Sequence, residues 1–173
     1  MTDLLPWLQN GALAVLLAAA TIWDCREGRI PNWLTALGGA AGLLLCAVAW
    51  TTADSSVVVR AFCGAAVGGG ALLFVFLGGG VGGGDVKLMA AAGLLAGYPA
   101  VVQHLFYGML AALALILGRM AWQGGVPAAL RGAWTVATTR PTAPASGDQG
   151  RPSVSFALAL TVGVGWVWLM SVL

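Results

Sequence analysis

The chain has 173 residues, of which 60% are hydrophobic and only 8% are charged, and its formal net charge is +2. Soluble domains usually carry about 25% charged residues, so this composition excludes a water-exposed globular surface and indicates a protein that lies largely in lipid. The small net charge and the scattered basic residues also argue against nucleic-acid binding.

The hydrophobic residues form six segments. A helix needs about 20 apolar residues to cross a bilayer. In chain order the segments are residues 4–23, 33–50, 57–77, 86–97, 100–118 and 154–173. The fourth is short, since at 1.5 Å per residue it reaches only about 18 Å of a ~30 Å hydrocarbon core. We therefore predict an all-α, polytopic membrane helix bundle with about six transmembrane helices, built as a single domain over residues 1–173.

The basic residues predict which ends of these helices face the cytoplasm. With six spans and the N-terminus outside, all of the eight Lys and Arg except Arg60 lie on the cytoplasmic side. If residues 86–118 formed one span, most of the basic residues would lie outside. The positive-inside rule favours the first arrangement, so we predict that both termini lie outside. Residues 121–153, rich in Gly, Pro, Thr, Ser and Ala, are then a cytoplasmic loop.

Two acidic residues stand at predicted helix ends. Asp24 ends the first span and Asp85 begins the fourth, so both lie at the cytoplasmic boundary. Acids there persist mainly where they face protein or a water-filled cavity. Two carboxyls a few ångströms apart share a proton, so one can take a proton from water while the other protonates a carbonyl oxygen. The pair therefore predicts peptide-bond hydrolysis.

Other interpretations of these residues exist. Asp24 is also explained as a solvated residue at a helix end, and Asp85 as the N-cap of the fourth helix. A non-enzymatic transporter or proton-coupled component would use both as ion or proton sites, although no inverted repeat is visible. The glycine-rich residues 78–84 indicate an unwound backbone that pairs with an extended substrate, or else a flexible linker.

Two motifs contain these aspartates. Residues 24–32, Asp-Cys-Arg-Glu-Gly-Arg-Ile-Pro-Asn, resemble the first aspartate motif of type IV prepilin peptidases, and residues 82–88, Gly-Gly-Gly-Asp-Val-Lys-Leu, resemble their second, G-x-G-D motif. The second motif is also similar to that of presenilin-type intramembrane proteases, but the short chain and the first motif favour the prepilin group. The resemblance implies a GxGD aspartyl endopeptidase with Asp24 and Asp85 as catalytic residues. Its substrate would be a prepilin leader, cleaved at the cytoplasmic face of the bacterial inner membrane.

The resemblance also has a limit. The larger members of this family carry a cytoplasmic domain with paired C-x-x-C motifs and methylate the new N-terminus. This chain has three cysteines without that spacing, so it resembles the minimal branch associated with Flp or tight-adherence pili, and we expect no methylation, metal or cofactor. The expected partners are the prepilin and membrane lipid.

Eight further residues surround the two aspartates in these motifs. We expect them to bind substrate or shape the site. For the three basic ones, the positive-inside rule is an alternative explanation. They are Gly82, Gly83, Gly84, Lys87, Arg26, Arg29, Pro31 and Asn32.

Overall fold

A computed structural model of the protein describes residues 4–52, 56–79, 81–122 and 156–172. Over these residues it contains six α-helices and no strand, which confirms the predicted all-α membrane bundle. The helices are α1 (Leu4–Glu27), α2 (Asn32–Thr52), α3 (Ser56–Leu77), α4 (Gly83–Ala96), α5 (Ala100–Trp122) and α6 (Phe156–Val172). Four of them, α1, α2, α3 and α5, are long and apolar enough to cross a membrane.

The remaining predictions about topology are not tested by these helices. The sidedness of the two termini stays a prediction. The predicted loop at residues 121–153 lies outside the described residues, apart from its first two residues, which belong to the end of α5.

The short helix α4 lies inside the bundle. It contacts α1, α2, α3 and α5. Its side chains Leu88, Met89 and Leu95 are almost fully buried. Because α4 is surrounded mainly by protein, it does not need the length of a lipid-spanning helix, and it can hold its first turn at a defined depth in the bundle.

Glycines allow the helices to approach one another closely. Gly64 of α3 and Gly93 of α4 are in backbone contact, so a Cβ atom on either would collide with the other helix. Gly38 and Gly42 of α2 accept the side chains of Leu16 and Leu94 in the same way. Small residues thus join helices within this one chain, as they do in many membrane bundles.

Several helix boundaries differ from those predicted, and two of them affect the aspartates. Helix α1 continues past Trp23 to Glu27, because its polar last turn lies beyond the apolar stretch and remains helical until Gly28. Helix α4 begins at Gly83 instead of residue 86, with Gly82 as its N-cap. The interpretation of Asp85 as an N-cap is therefore wrong. The expectation of an unwound backbone is also wrong for Gly83 and Gly84, which are helical.

Candidate active site

Asp24 lies in the last turn of α1 and is half-buried. Its carbonyl oxygen accepts a hydrogen bond from the Gly28 N–H (2.9 Å), and Gly28 has a φ of 65°. A glycine in this left-handed conformation ends a helix without steric cost. Beyond the turn, the Trp23 ring meets that of Trp33 edge to face, with 5.2 Å between ring centroids, and so holds the end of α1 against the start of α2.

Asp85 lies in the first turn of α4 and is also half-buried. The N–H groups of Asp85 and Val86 donate to the Gly82 carbonyl, at 3.1 and 3.4 Å, and so begin the helix. The Asp85 carboxylate in turn accepts a hydrogen bond from the Gly82 backbone. An acidic side chain three residues after the N-cap often reaches back in this way, and the arrangement fixes where the carboxylate lies.

Ile30 brings the two motifs into contact. It is half-buried and packs against the main hydrophobic core. A Cβ atom on Gly84 would lie 3.3 Å from the Ile30 Cβ, closer than most such contacts. Glycine at position 84 therefore lets the loop after Asp24 lie directly against the turn that carries Asp85.

The electrostatics of Asp85 include a contribution from Asp24. Burial and then the nearby Asp24 charge raise the pKa of Asp85 from 3.8 to about 6, partly opposed by the Gly82 hydrogen bond. Asp85 lies outside the four spanning helices, at the polar end of α4. Coulomb interactions weaken with distance, so this contribution agrees with the packing of the two motifs against each other through Ile30 and Gly84. Asp85 is therefore suited to hold a proton near pH 6.

Lys87 and Asn32 connect α4 to the start of α2. The Lys87 Nζ donates a hydrogen bond to the Asn32 Oδ1 at 2.8 Å. Pro31 precedes Asn32, and its carbonyl accepts from the Leu34 N–H at 3.1 Å, which begins the first turn of α2. The structure thus places these three predicted site residues at the junction between the two motifs.

The other predicted site residues lie around this junction. A Cβ atom on Gly82 would lie 3.4 Å from the Asp85 Oδ2, and one on Gly84 would lie 3.3 Å from the Ile30 Cβ. A Cβ atom on Gly83 would lie 3.6 Å from the Phe76 ring. Arg26 and Arg29 are exposed, and Arg29 makes only a distant ion pair with Glu27 (3.9 Å). The two arginines therefore lie at the same end of the bundle as the aspartates. Among the described residues, neither arginine forms an ion pair with the Asp24 or Asp85 carboxylate.

Sequence reasoning missed Ile30 as a residue that shapes the site. It is the one apolar residue in the polar loop of residues 28–32. An isolated apolar side chain between two helices often packs back on the core, and that signal would have predicted its burial.

Comparison with known proteins agrees with these two motifs. Residues 11–117 match the model of the type IV leader peptidase family, which covers more than half of the chain and includes both Asp24 and Asp85. The chain belongs to the type IV leader peptidase family. No match was found among curated proteins or solved structures. The family resemblance of the two motifs is thereby confirmed, and the leader peptidase is a protease built as a multi-pass membrane bundle.

Proposed function

We propose that this leader peptidase is an aspartic-type endopeptidase that removes the leader peptide of type IV, Flp-like prepilins at the cytoplasmic face of the bacterial inner membrane. Asp24 and Asp85 are its catalytic pair. The observation that supports the proposal most strongly is the packing of the loop after Asp24 against the turn that carries Asp85, which brings together two motifs that are far apart in sequence. A pair of close carboxyls with one raised pKa is the arrangement that acid–base hydrolysis requires.

In the proposed reaction, Asp85 is the proton donor and the Asp24 carboxylate is the proton acceptor. A water molecule between them gives a proton to the Asp24 carboxylate while its oxygen bonds to the scissile carbonyl carbon, and Asp85 donates its proton to the carbonyl oxygen. The resulting diol collapses as the C–N bond breaks. Asp24 passes its proton to the departing nitrogen, and Asp85 recovers a proton from the diol hydroxyl. One water is consumed, and both carboxyls return to their starting states.

The surrounding residues would orient the substrate. The Gly82–Gly84 backbone adjoins Asp85, Lys87 donates a hydrogen bond to Asn32 nearby, and Pro31 directly precedes Asn32. We propose that Arg26 and Arg29, which are exposed at the same end, shape the approach of the leader.

Replacement of each aspartate by asparagine tests the proposal. Asp24→Asn and Asp85→Asn each keep the size of the side chain but remove the ionisable group. Because a general acid or base contributes about 10²- to 10⁴-fold to rate, we expect each variant to lose at least about 100-fold in prepilin cleavage. Cleavage is followed on gels with purified protein and an Flp-type prepilin in liposomes.

Glu27→Gln is the matched control. It removes an acid from the same end of α1, and Glu27 is exposed. We expect this variant to cleave at the wild-type rate. Continued rapid cleavage by a folded Asp24→Asn or Asp85→Asn protein would contradict the aspartyl mechanism.

A further inference from the structure

A mostly apolar groove of about 530 Å³ adjoins the proposed catalytic pair. Helices α2 and α4 line most of the groove. Helix α3 contributes to its inner end, which is the end far from Asp85. It begins at the Lys87–Asn32 hydrogen bond, two residues along α4 from Asp85. The lining residues are Asn32, Thr35, Ala36, Gly39, Leu43, Phe62, Ala65, Lys87, Ala90, Ala91 and Leu94.

The lining is suited to contact with a helix. Much of it consists of glycine and alanine, the small residues that let two helix backbones approach closely in a membrane. The groove follows α2 from Asn32 to Leu43, a rise of about 16 Å, which corresponds to roughly three helical turns. At its inner end, Leu94 belongs to a small buried cluster with Cys46 and Ala61, and this cluster limits the length of the groove.

The described residues leave part of the groove lining exposed. Leu43 and Phe62 line it and are 50% and 52% exposed. Both belong to spanning helices, so an occupant at this depth would lie in hydrocarbon. Any polypeptide there must satisfy its own backbone hydrogen bonds, which a helix does and an extended segment does not.

We propose that this groove holds the cytoplasmic end of the apolar helix of the membrane-anchored prepilin. The inference rests on the proposed function and adds where the substrate docks. A helix seated against Ala36, Gly39 and Ala91 ends at Lys87, and the chain just beyond it passes beside Asp85. The bond to be cut then lies outside the helix, where its carbonyl is free for attack.

Photocrosslinking at two adjacent leucines tests the occupant. A benzoylphenylalanine is placed at Leu43, which lines the groove, or at Leu44, which is 68% exposed and does not line it. Both are made in the Asp85→Asn protein, so that an Flp-type prepilin in liposomes stays uncut. We expect position 43, and not position 44, to crosslink to the apolar helix of the prepilin. Crosslinks from position 43 only to lipid, to residues 123–155 of this chain or to a second copy would overturn the proposal.

Filling the groove gives a second, kinetic test. Gly39→Leu places a side chain in the groove, and Gly11→Leu is its control on α1. A Cβ on either glycine meets no atom within 4 Å, so both variants should fold. Because the added side chain obstructs the packed contact, we expect Gly39→Leu to raise KM for the anchored prepilin about tenfold, with kcat little changed and Gly11→Leu like wild type.

The two proposals fail in different ways. If the wild type cleaves prepilin, the asparagine variants do not, and Gly39→Leu keeps the wild-type KM, only the groove assignment is overturned. If the wild type does not cleave prepilin, the proposed function fails, and the crosslinks from positions 43 and 44 still decide whether a prepilin helix occupies the groove.

Discussion

Two effects raise the pKa of Asp85, and a substitution at Asp24 removes one of them while leaving the other. Burial is the larger cause and the Asp24 charge is the smaller one. We therefore expect Asp24→Asn to lower the pKa of Asp85 from about 6, but to leave it above the ordinary value of 3.8, because burial persists. The measurement is a pH titration of the carboxyl signals in aspartate-labelled protein by ¹³C NMR, with Asp85→Asn used for assignment.

In the wild type, the raised pKa of Asp85 determines the pH at which this carboxyl loses its proton. Below about pH 6 Asp85 is mostly protonated, and as the pH rises through that value it ionises beside Asp24. The control for the titration is Glu27→Gln, which removes a nearby exposed acid and should leave the Asp85 signal in place. An Asp85 pKa that is the same in wild type and Asp24→Asn would contradict the close pairing of the two carboxyls.

At the scale of the helices, the contact between α3 and α4 sets the position of the Asp85 turn. Gly64 and Gly93 meet backbone to backbone there. We expect Gly64→Ala to destabilise the protein by about 1–3 kcal/mol or more, because its methyl group would collide with the Gly93 carbonyl, which cannot move aside as a side chain does. Thermal unfolding in detergent measures the change.

Gly70→Ala is the matched control on the same helix. A Cβ atom at position 70 meets nothing within 4 Å, so this variant should unfold close to the wild-type temperature. Equal melting temperatures for Gly64→Ala, Gly70→Ala and wild type would show that α3 and α4 are not packed as tightly as described.

At the scale of the whole molecule, the orientation of the bundle in the membrane is testable through Cys25. This cysteine is exposed and follows Asp24 directly. If both termini lie outside, Cys25 lies on the cytoplasmic side, so a membrane-impermeant maleimide should label it in inside-out vesicles and not in intact spheroplasts. The experiment uses a protein in which Cys46 and Cys63 are replaced by alanine.

A cysteine at Thr51 provides the opposite control. Thr51 is exposed and lies near the other end of α2, away from the site. In a second variant that also lacks Cys25, it should be labelled from the outside of spheroplasts. Labelling of Cys25 from the outside would reverse the predicted orientation and move the proposed cleavage to the other face of the membrane.

The class of the protein, its helices and its two aspartate motifs could be predicted from the amino-acid sequence. These features are local: apolar runs predict spanning helices, and each motif is a short stretch of neighbouring residues such as residues 24–32. The helix ends were less accurate, because hydropathy falls at Trp23 while the α1 backbone stays helical until Gly28.

The packed helices were needed to find that the loop after Asp24 lies against the turn of Asp85, that α4 lies inside the bundle, and that a groove adjoins this turn. Each of these depends on contacts between residues distant in the chain, such as Ile30 with Gly84 and Gly64 with Gly93. An apolar side chain has the same pattern in the sequence whether lipid or another helix surrounds it. Which of the two surrounds it is settled only when the helices pack.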